Sequence, residues 1–551
     1  MNDLTTNPAA QLEFESPDGH VWERDVDHQN APMVPFLRDR FVEAFGTGMA
    51  HAFARIGAPI AGVRGCVVHG WYYLRFVPAG APDKPGAAPP PPPVLKVLTR
   101  LHPELRRRER TARRALADEV WMDDVAAWWN ERPTWSKRFG GRQAVDPTAL
   151  DDAELADQIE SAAEEAVAML RRHFELITPA PGIGLAFLAA ADHGIELTTT
   201  AEALRGSSRS TAGPVHELAA IRQLLDPGVL AAATTLDELR ASSPDAAARI
   251  DTYLDDYGWR VLGDDVAMPT LAESPDAFVR SLQSTSAIEH TGDPIAELLE
   301  RVPAGDRARV EHLLRQAGEA YEMMDDNSAM VCWGFGVLRR LTLAAAQRLS
   351  DRDEIEMPEH VWMFEASELV DTLRRGRAVS KEDLAGRQRR HDAAAAADPP
   401  DVVGGEPGEP PDPSVFPRGL RTITEAVGTY ISLRFPKPDQ QHTTGRVERD
   451  GSTIANGVGI GAGPVTGRAV VADDAMDAMD RLEPGDVLVC QVTNPAYNAL
   501  FPIAGAVVTA VGGPLGHTAV TAREVGIPAV VGIGDLGVIA DGDEITVVGG
   551  D

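Results

Sequence analysis

The stretch from Gly512 to Gly532 reads GGPLGHTAVTAREVGIPAVVG: a glycine-rich turn, one histidine, then a run of small residues suited to a short helix. His517 stands at or just before the helix start, with Thr518 beside it as a second capping candidate. Backbone N–H groups and the positive end of the helix dipole then face whatever the imidazole carries. A phosphoryl group on that ring would lie in an anion site made by the main chain. Gly512, Gly513 and Gly516 have no side chain to obstruct a phosphate donor. An imidazole of ordinary pKa, about 6.5, is mostly neutral and nucleophilic at about pH 7. It can take a phosphoryl group, hold it and release it, which splits one difficult transfer into two. Arg523, on the same helix, fits two readings: neutralising phosphate charge, or pairing with a surface carboxylate.

The elements that must position this histidine are short. β-Branched runs at 465–471, 486–492, 506–509, 529–531 and 544–548 are punctuated by Gly and Pro and read as strands, with a helix at 518–525 among them. Residues 457–551 therefore form an α/β module. A dinucleotide fingerprint at Gly459-x-Gly461 fails, because Pro464 takes the third glycine position and a strand follows. Upstream the texture is helical, with apolar residues three and four apart over 101–130, 151–176, 215–225, 245–257 and 307–349. A hairpin or a pair of short strands is expected near 62–77. Breaks rich in Pro, Gly or polar residues fall at 78–93, 392–413 and 436–457. The expected organisation is a mainly α-helical region over 1–390, a linker over 391–456 and the module at 457–551. Treated as coil, that linker of roughly 70 residues spans about 45 Å.

With 83 acidic against 52 basic residues, the formal net charge of -31 argues against nucleic acid and anionic membranes as partners. Cys66, Cys332 and Cys490 have no partners at metal-ligand spacing, so neither a metal site nor a disulfide framework is expected. The first eight residues lack a basic region followed by an apolar core, and no uncharged apolar run reaches membrane-spanning length. The expectation is a cytoplasmic protein.

The 512–532 segment resembles the phosphohistidine motif of the PEP-utilising enzymes, which include pyruvate phosphate dikinase, phosphoenolpyruvate synthase, rifampicin phosphotransferase and phenylphosphate synthase. The matching residues are Gly512-Gly513, His517, Ala519, Ala522-Arg523-Glu524 and Gly526 to Gly532. Upstream, 459–469 and 482–489 resemble the opening strands of the same swivelling domain. Leu515-Gly516 stand where the family often has Thr-Ser or Thr-Cys, so a threonine switch at that place is missing. Residues 253–275 resemble a stretch shared by rifampicin phosphotransferase and phenylphosphate synthase, with Trp259 and Leu271 departing from its pattern. Residues 22–36, 322–340 and 362–373 resemble their acceptor-binding region.

By that resemblance His517 carries the phosphoryl group, and the chain is one phosphotransferase subunit that passes it to a hydroxyl of a small organic compound. No Walker lysine loop and no recognisable ATP-grasp region occur in the sequence. The implied arrangement is that of a split phenylphosphate synthase, in which a separate ATP-grasp partner loads His517 from ATP with Mg²⁺. Two alternatives stay open: a rifamycin-type antibiotic phosphotransferase component, and a non-enzymatic phosphocarrier or regulatory protein.

Acceptor-site candidates each have two readings. Trp71 and Tyr73 could line an aromatic pocket or pack in a hairpin core. Asp325 and Asp326 could supply a general base or form a solvated helix face. Arg260 and Arg339 could hold phosphate or pair with surface carboxylates. The arginines at 106–108, 110, 113 and 114 form a basic helix suited either to an acidic partner or to plain exposure.

Overall fold

Aromatic and β-branched residues on either side of His69-Gly70 pair as a tight hairpin in the computed structural model, which describes residues 12–26, 28–86, 90–263, 265–284, 292–376, 379–434, 436, 443–461 and 463–550. The first eight residues, the prolines and alanines at 87–89 and the polar run at 437–442, all weighed above, lie outside that set. The chain divides into two units. One comprises Met1–Thr178, Asp264–Ala267 and Gly334–Thr424; the other comprises Pro179–Gly263, Met268–Trp333 and Glu425–Asp551.

In the first unit, β1 (Trp22–Arg24), β2 (Ile60–Val68), β3 (Trp71–Pro78) and β4 (Val402–Val403) form a four-stranded sheet in the order β2-β3-β1-β4. The hairpin expected at 62–77 is β2–β3, with Val68 opposite Trp71 and both turn residues at positive φ. Helix Arg38–Ile56 lies against helix Asp152–Glu175, whose first turn is closed by a reciprocal Asp151/Glu154 capping box. Gly48 makes that approach possible, since a Cβ there would come within 2.6 Å of Phe174 Cβ. Phe41 and Phe45 then meet Tyr72 edge to face, Phe41 meets Phe174 in the same way, and Phe45 lies tilted against Phe174. Pro92 and Pro93 open a helix, Pro92–Leu101, where proline's missing N–H has no partner to lose.

The second unit joins helices to a closed mixed barrel ordered β10-β6-β5-β11-β7-β8-β9. Its strands are β5 (Gly445–Arg449), β6 (Ser452–Ile460), β7 (Pro464–Ala472), β8 (Val487–Cys490), β9 (Ala506–Thr509), β10 (Ala529–Val531) and β11 (Glu544–Val548). Strands β7 to β10 run parallel, and the remaining pairings are antiparallel. Alternation along β8 divides the cores. Val487 and Val489 join Val508, Val530 and Val547 in one cluster. Leu488 and Cys490 join a second cluster with residues of helices Arg209–Arg222, Pro244–Tyr257, Pro275–Ser284 and His517–Val525. Each fully buried aliphatic side chain there contributes roughly 1.5–3 kcal/mol.

The interval 391–456, treated above as coil, holds the end of helix Lys381–Ala395, a helix Arg418–Arg434, strand β5 and the start of β6. The helix lies between the two Pro/Gly-rich breaks, and Leu420, Ile423, Val427, Tyr430 and Leu433 give it a buried stripe. The coil estimate of reach therefore does not apply to that segment. Two helical stretches, Asp152–Ala191 and Arg307–Asp351, are long and apolar enough to cross a membrane, with mean hydropathy of 1.5 and 1.3 in their best windows. Those windows are 72% and 78% buried within the protein.

Candidate active site

Strand β9 ends at Thr509, and the chain turns through the glycine loop into helix His517–Val525 before returning as β10. Gly512 has φ 139°, a region that glycine enters far more readily than other residues. Gly516 is the N-cap, in extended conformation and without a side-chain cap, so His517 is the first helical residue. Thr518 therefore lies inside the helix. Gly526 closes it with φ 74°.

The imidazole is held at both nitrogens by hydroxyls. Nδ1 lies 2.9 Å from Thr493 Oγ1, and Nε2 lies 3.3 Å from Thr521 Oγ1. Thr493 Oγ1 is in turn 2.8 Å from Thr518 Oγ1. Phe501 meets the ring edge to face at 6.1 Å. Burial, with the positive charge of Arg434 added, pushes the His517 pKa down to about 3. The ring is thus neutral over the whole physiological range, and whichever nitrogen lacks the proton keeps its lone pair.

The glycines do something other than leave an open approach. A Cβ on Gly513 would fall 2.4 Å from the carbonyl oxygen of Leu433 and 2.7 Å from Pro436 Cδ. The Leu515 N–H donates to that same Leu433 carbonyl at 2.9 Å. Gly513 thus makes room for the end of helix Arg418–Arg434. Gly516 permits the tight turn, its Cβ position being 3.2 Å from Gly513 O. Arg523 is also turned to another use: buried, it donates to Pro514 O at 2.6 Å and lies 3.3 Å from Glu202 Oε2. Of its two readings, the carboxylate partner is the one seen, although that partner and Arg523 are not at the surface together. Glu524 accepts from Gly206 N at 2.7 Å, and burial pushes its pKa up to about 7, with Asp325 adding to the rise.

The acceptor candidates separate. Asp326 is buried and Asp325 half-buried, so neither fits a fully solvated face. Asp325 accepts from Ser208 Oγ at 2.6 Å and Thr211 Oγ1 at 2.9 Å, and Asp326 accepts from Ser210 Oγ at 3.0 Å. Burial raises the Asp325 pKa. The Arg434 charge acts on both Asp325 and His517, which brings this pair into one electrostatic neighbourhood. Arg260 stacks over Tyr257 at 4.9 Å, with burial lowering its pKa. Arg339, Trp71 and Tyr73 belong to the first unit. There Arg339 donates to Ala267 O and stacks on Trp362, while Trp71 Nε1 donates to Ala394 O and Tyr73 OH to Pro400 O. These are core contacts, not a surface ion pair or an open aromatic pocket.

Sequence reading missed Thr493, Thr521 and Arg434. Thr521 had a local signal, one turn after His517. Thr493 and Arg434 arrive through strand order and a helix end, which no local pattern marks. Among the described residues, no group of three His, Cys, Asp or Glu side chains is placed to hold a metal ion.

A histidine thus opens a helix after a glycine loop on a mixed barrel. Residues 482–551 match the family described as PEP-utilising enzyme, mobile domain. The C-terminal part of the chain is such a mobile domain. The chain is 28% identical over 354 residues to a rifampicin phosphotransferase of Streptomyces sviceus, covering 57% of this chain and 35% of the relative. It is 45% identical over 107 residues to a phosphoenolpyruvate synthase of Escherichia coli, covering 19% and 13%. It is 26% identical over 576 residues to a chondramide synthase of Chondromyces crocatus, covering 96% of this chain and 14% of that protein. The chain thus spans about a third or less of the length of these relatives.

Proposed function

We propose that His517 accepts a phosphoryl group and passes it to a hydroxyl of a small organic acceptor. The observation that carries this reading is the imidazole at the first position of its helix, neutral, with Nδ1 beside Thr493. With the proton on Nδ1 donated to Thr493, Nε2 attacks phosphorus. The P–Nε2 bond forms as the P–O bond to the nucleotide leaving group breaks. In the second step the acceptor oxygen attacks phosphorus, the P–Nε2 bond breaks, and the hydroxyl proton passes to a base. Asp325 is the base we assign, because burial makes its carboxylate more basic and Arg434 links it electrostatically to His517.

In this reading a separate ATP-grasp partner loads His517 from ATP, with Mg²⁺ at the partner neutralising phosphate charge. Gly512, Gly513 and Gly516 shape the loop, and Thr518 supports Thr493. The likeness to phenylphosphate synthase noted in the sequence favours a phenol-like or similar small hydroxyl compound. The test is to incubate the chain with labelled ATP and candidate ATP-grasp proteins. Label is expected on the wild-type chain and absent from His517→Ala; label retained by that variant contradicts the assignment.

The similarity to a rifampicin phosphotransferase over 57% of the chain supports a second reading, a rifamycin-like acceptor. Cells expressing the chain with a loading partner would then grow in the presence of the drug. Unchanged sensitivity, together with transfer to simpler hydroxyl compounds, rejects it.

A further inference from the structure

We propose that Arg434, the last residue of helix Arg418–Arg434, is the cation that holds the phosphoryl group while His517 carries it. This rests on the reading of His517 as the carrier. A phosphohistidine brings close to two negative charges to the ring nitrogen, and a guanidinium adds strong charge-assisted hydrogen bonds to what the main chain supplies. The arginine that the motif itself supplies is committed elsewhere: Arg523 is bound to the Pro514 carbonyl and to Glu202.

Arg434 is brought to the ring by main-chain geometry. The Leu515 N–H bond to Leu433 O fixes the helix end on the loop, and the missing side chain of Gly513 lets that carbonyl approach. The Arg434 carbonyl itself lies 3.6 Å from the Cβ position of Gly516, the residue preceding His517. The guanidinium is aimed by Tyr430: Nη1 donates to the phenol oxygen at 3.0 Å, and Cζ lies 5.9 Å from the ring centroid. Tyr430 OH is in turn 4.0 Å from Met324 Sδ, next to Asp325. The Arg434 helix end thus lies against the loop that carries the donor imidazole. The Arg434 charge acts on His517, Asp325 and Tyr321. A phosphoryl group leaving Nε2 for an acceptor beside Asp325 would keep the same cation through both steps.

The test uses the full chain and potassium phosphoramidate, which needs no protein partner. Its P–N bond breaks, the P–Nε2 bond forms, and ammonia leaves with the proton. Phosphorus NMR follows the N-bound phosphoryl group, and His-selective ¹⁵N labelling follows the titration of His517 before loading. The other charged or titratable groups around this region are Arg523 and Glu524 on its own helix, Glu202 and Arg205, and Tyr321 and Asp325. Arg434→Gln is expected to slow loading about tenfold and raise the His517 pKa by about one unit. Arg434→Lys should restore loading to within about threefold of wild type, because it keeps the charge. Tyr430→Phe, which removes the aiming bond and keeps the charge, should leave the His517 pKa at the wild-type value. The proposal is overturned if Arg434→Gln loads and titrates as wild type does, or if Arg434→Lys is as slow as Arg434→Gln. Wild-type protein that takes no phosphoryl group on His517 contradicts the parent reading instead.

Discussion

Two regions bury polar groups and use them differently. In the first unit two buried polar tips of the hairpin end on backbone carbonyls, Trp71 on Ala394 and Tyr73 on Pro400, and Arg339 likewise ends on Ala267. Backbone acceptors are fixed in place and cannot change protonation, so these bonds hold the fold in one state. Around His517 the partners are other side chains. The imidazole meets Thr493 and Thr521, Thr493 meets Thr518, and Asp325 meets Ser208 and Thr211. Hydroxyls both donate and accept, so a proton can sit at more than one place without breaking the network. That difference separates residues that build the molecule from residues suited to group transfer.

The largest effect that can break this contrast is on stability. Trp71→Ala should cost about 3–5 kcal/mol, seen as a lowered midpoint in chemical denaturation. A cost under about 1 kcal/mol would return Trp71 to the list of pocket residues. Asp325→Asn should slow transfer to the acceptor about 100-fold while His517 still loads at the wild-type rate. Equal loss in both half-reactions would make Asp325 structural, like the first-unit contacts.

Glu524 gives a pH signature. Its folded pKa of about 7 lies above the ordinary carboxylate value of 4.5, so the folded protein holds this proton more tightly than the unfolded chain. Stability from this group is fully present below about pH 4.5 and is lost as pH rises through about 7, by roughly 3 kcal/mol. Glu524→Gln should flatten that slope in denaturation curves taken between those values. A slope unchanged by the substitution places the titration elsewhere. The smallest effect distinguishes two glycines. Gly513→Ala should cost about 1–2 kcal/mol, because its Cβ would press on the Leu433 carbonyl, and Gly516→Ala less, since its nearest contact is 3.2 Å. The reverse order would remove the helix end from the account of the loop.

His517 was legible because everything that defines it is contiguous: strand, glycine turn, histidine, small-residue helix and the Gly526 stop lie in one short segment. The hairpin was legible for the same reason. Arg434 was not, because it reaches the histidine through the pairing of a helix end with Gly513, which composition recorded only as a gap between two Pro-rich breaks. Barrel closure was equally hidden. It depends on β11 pairing with both β5 and β7, and β-strand alternation gives each strand's faces without its neighbours. The burial of Asp326 was not legible because a helix covered on most sides shows no single apolar stripe to place a polar residue against.

The central claim is that a covalent bond to phosphorus forms and breaks at the His517 ring during turnover. The most direct measurement is rapid-quench mass spectrometry of the full chain under alkaline conditions while it turns over with ATP, a loading partner and a hydroxyl acceptor. The account predicts a phosphoryl mass increment on the peptide containing His517, appearing before product and decaying when acceptor is added. Product formed at the wild-type rate by His517→Ala, or turnover with that peptide never modified, would contradict it.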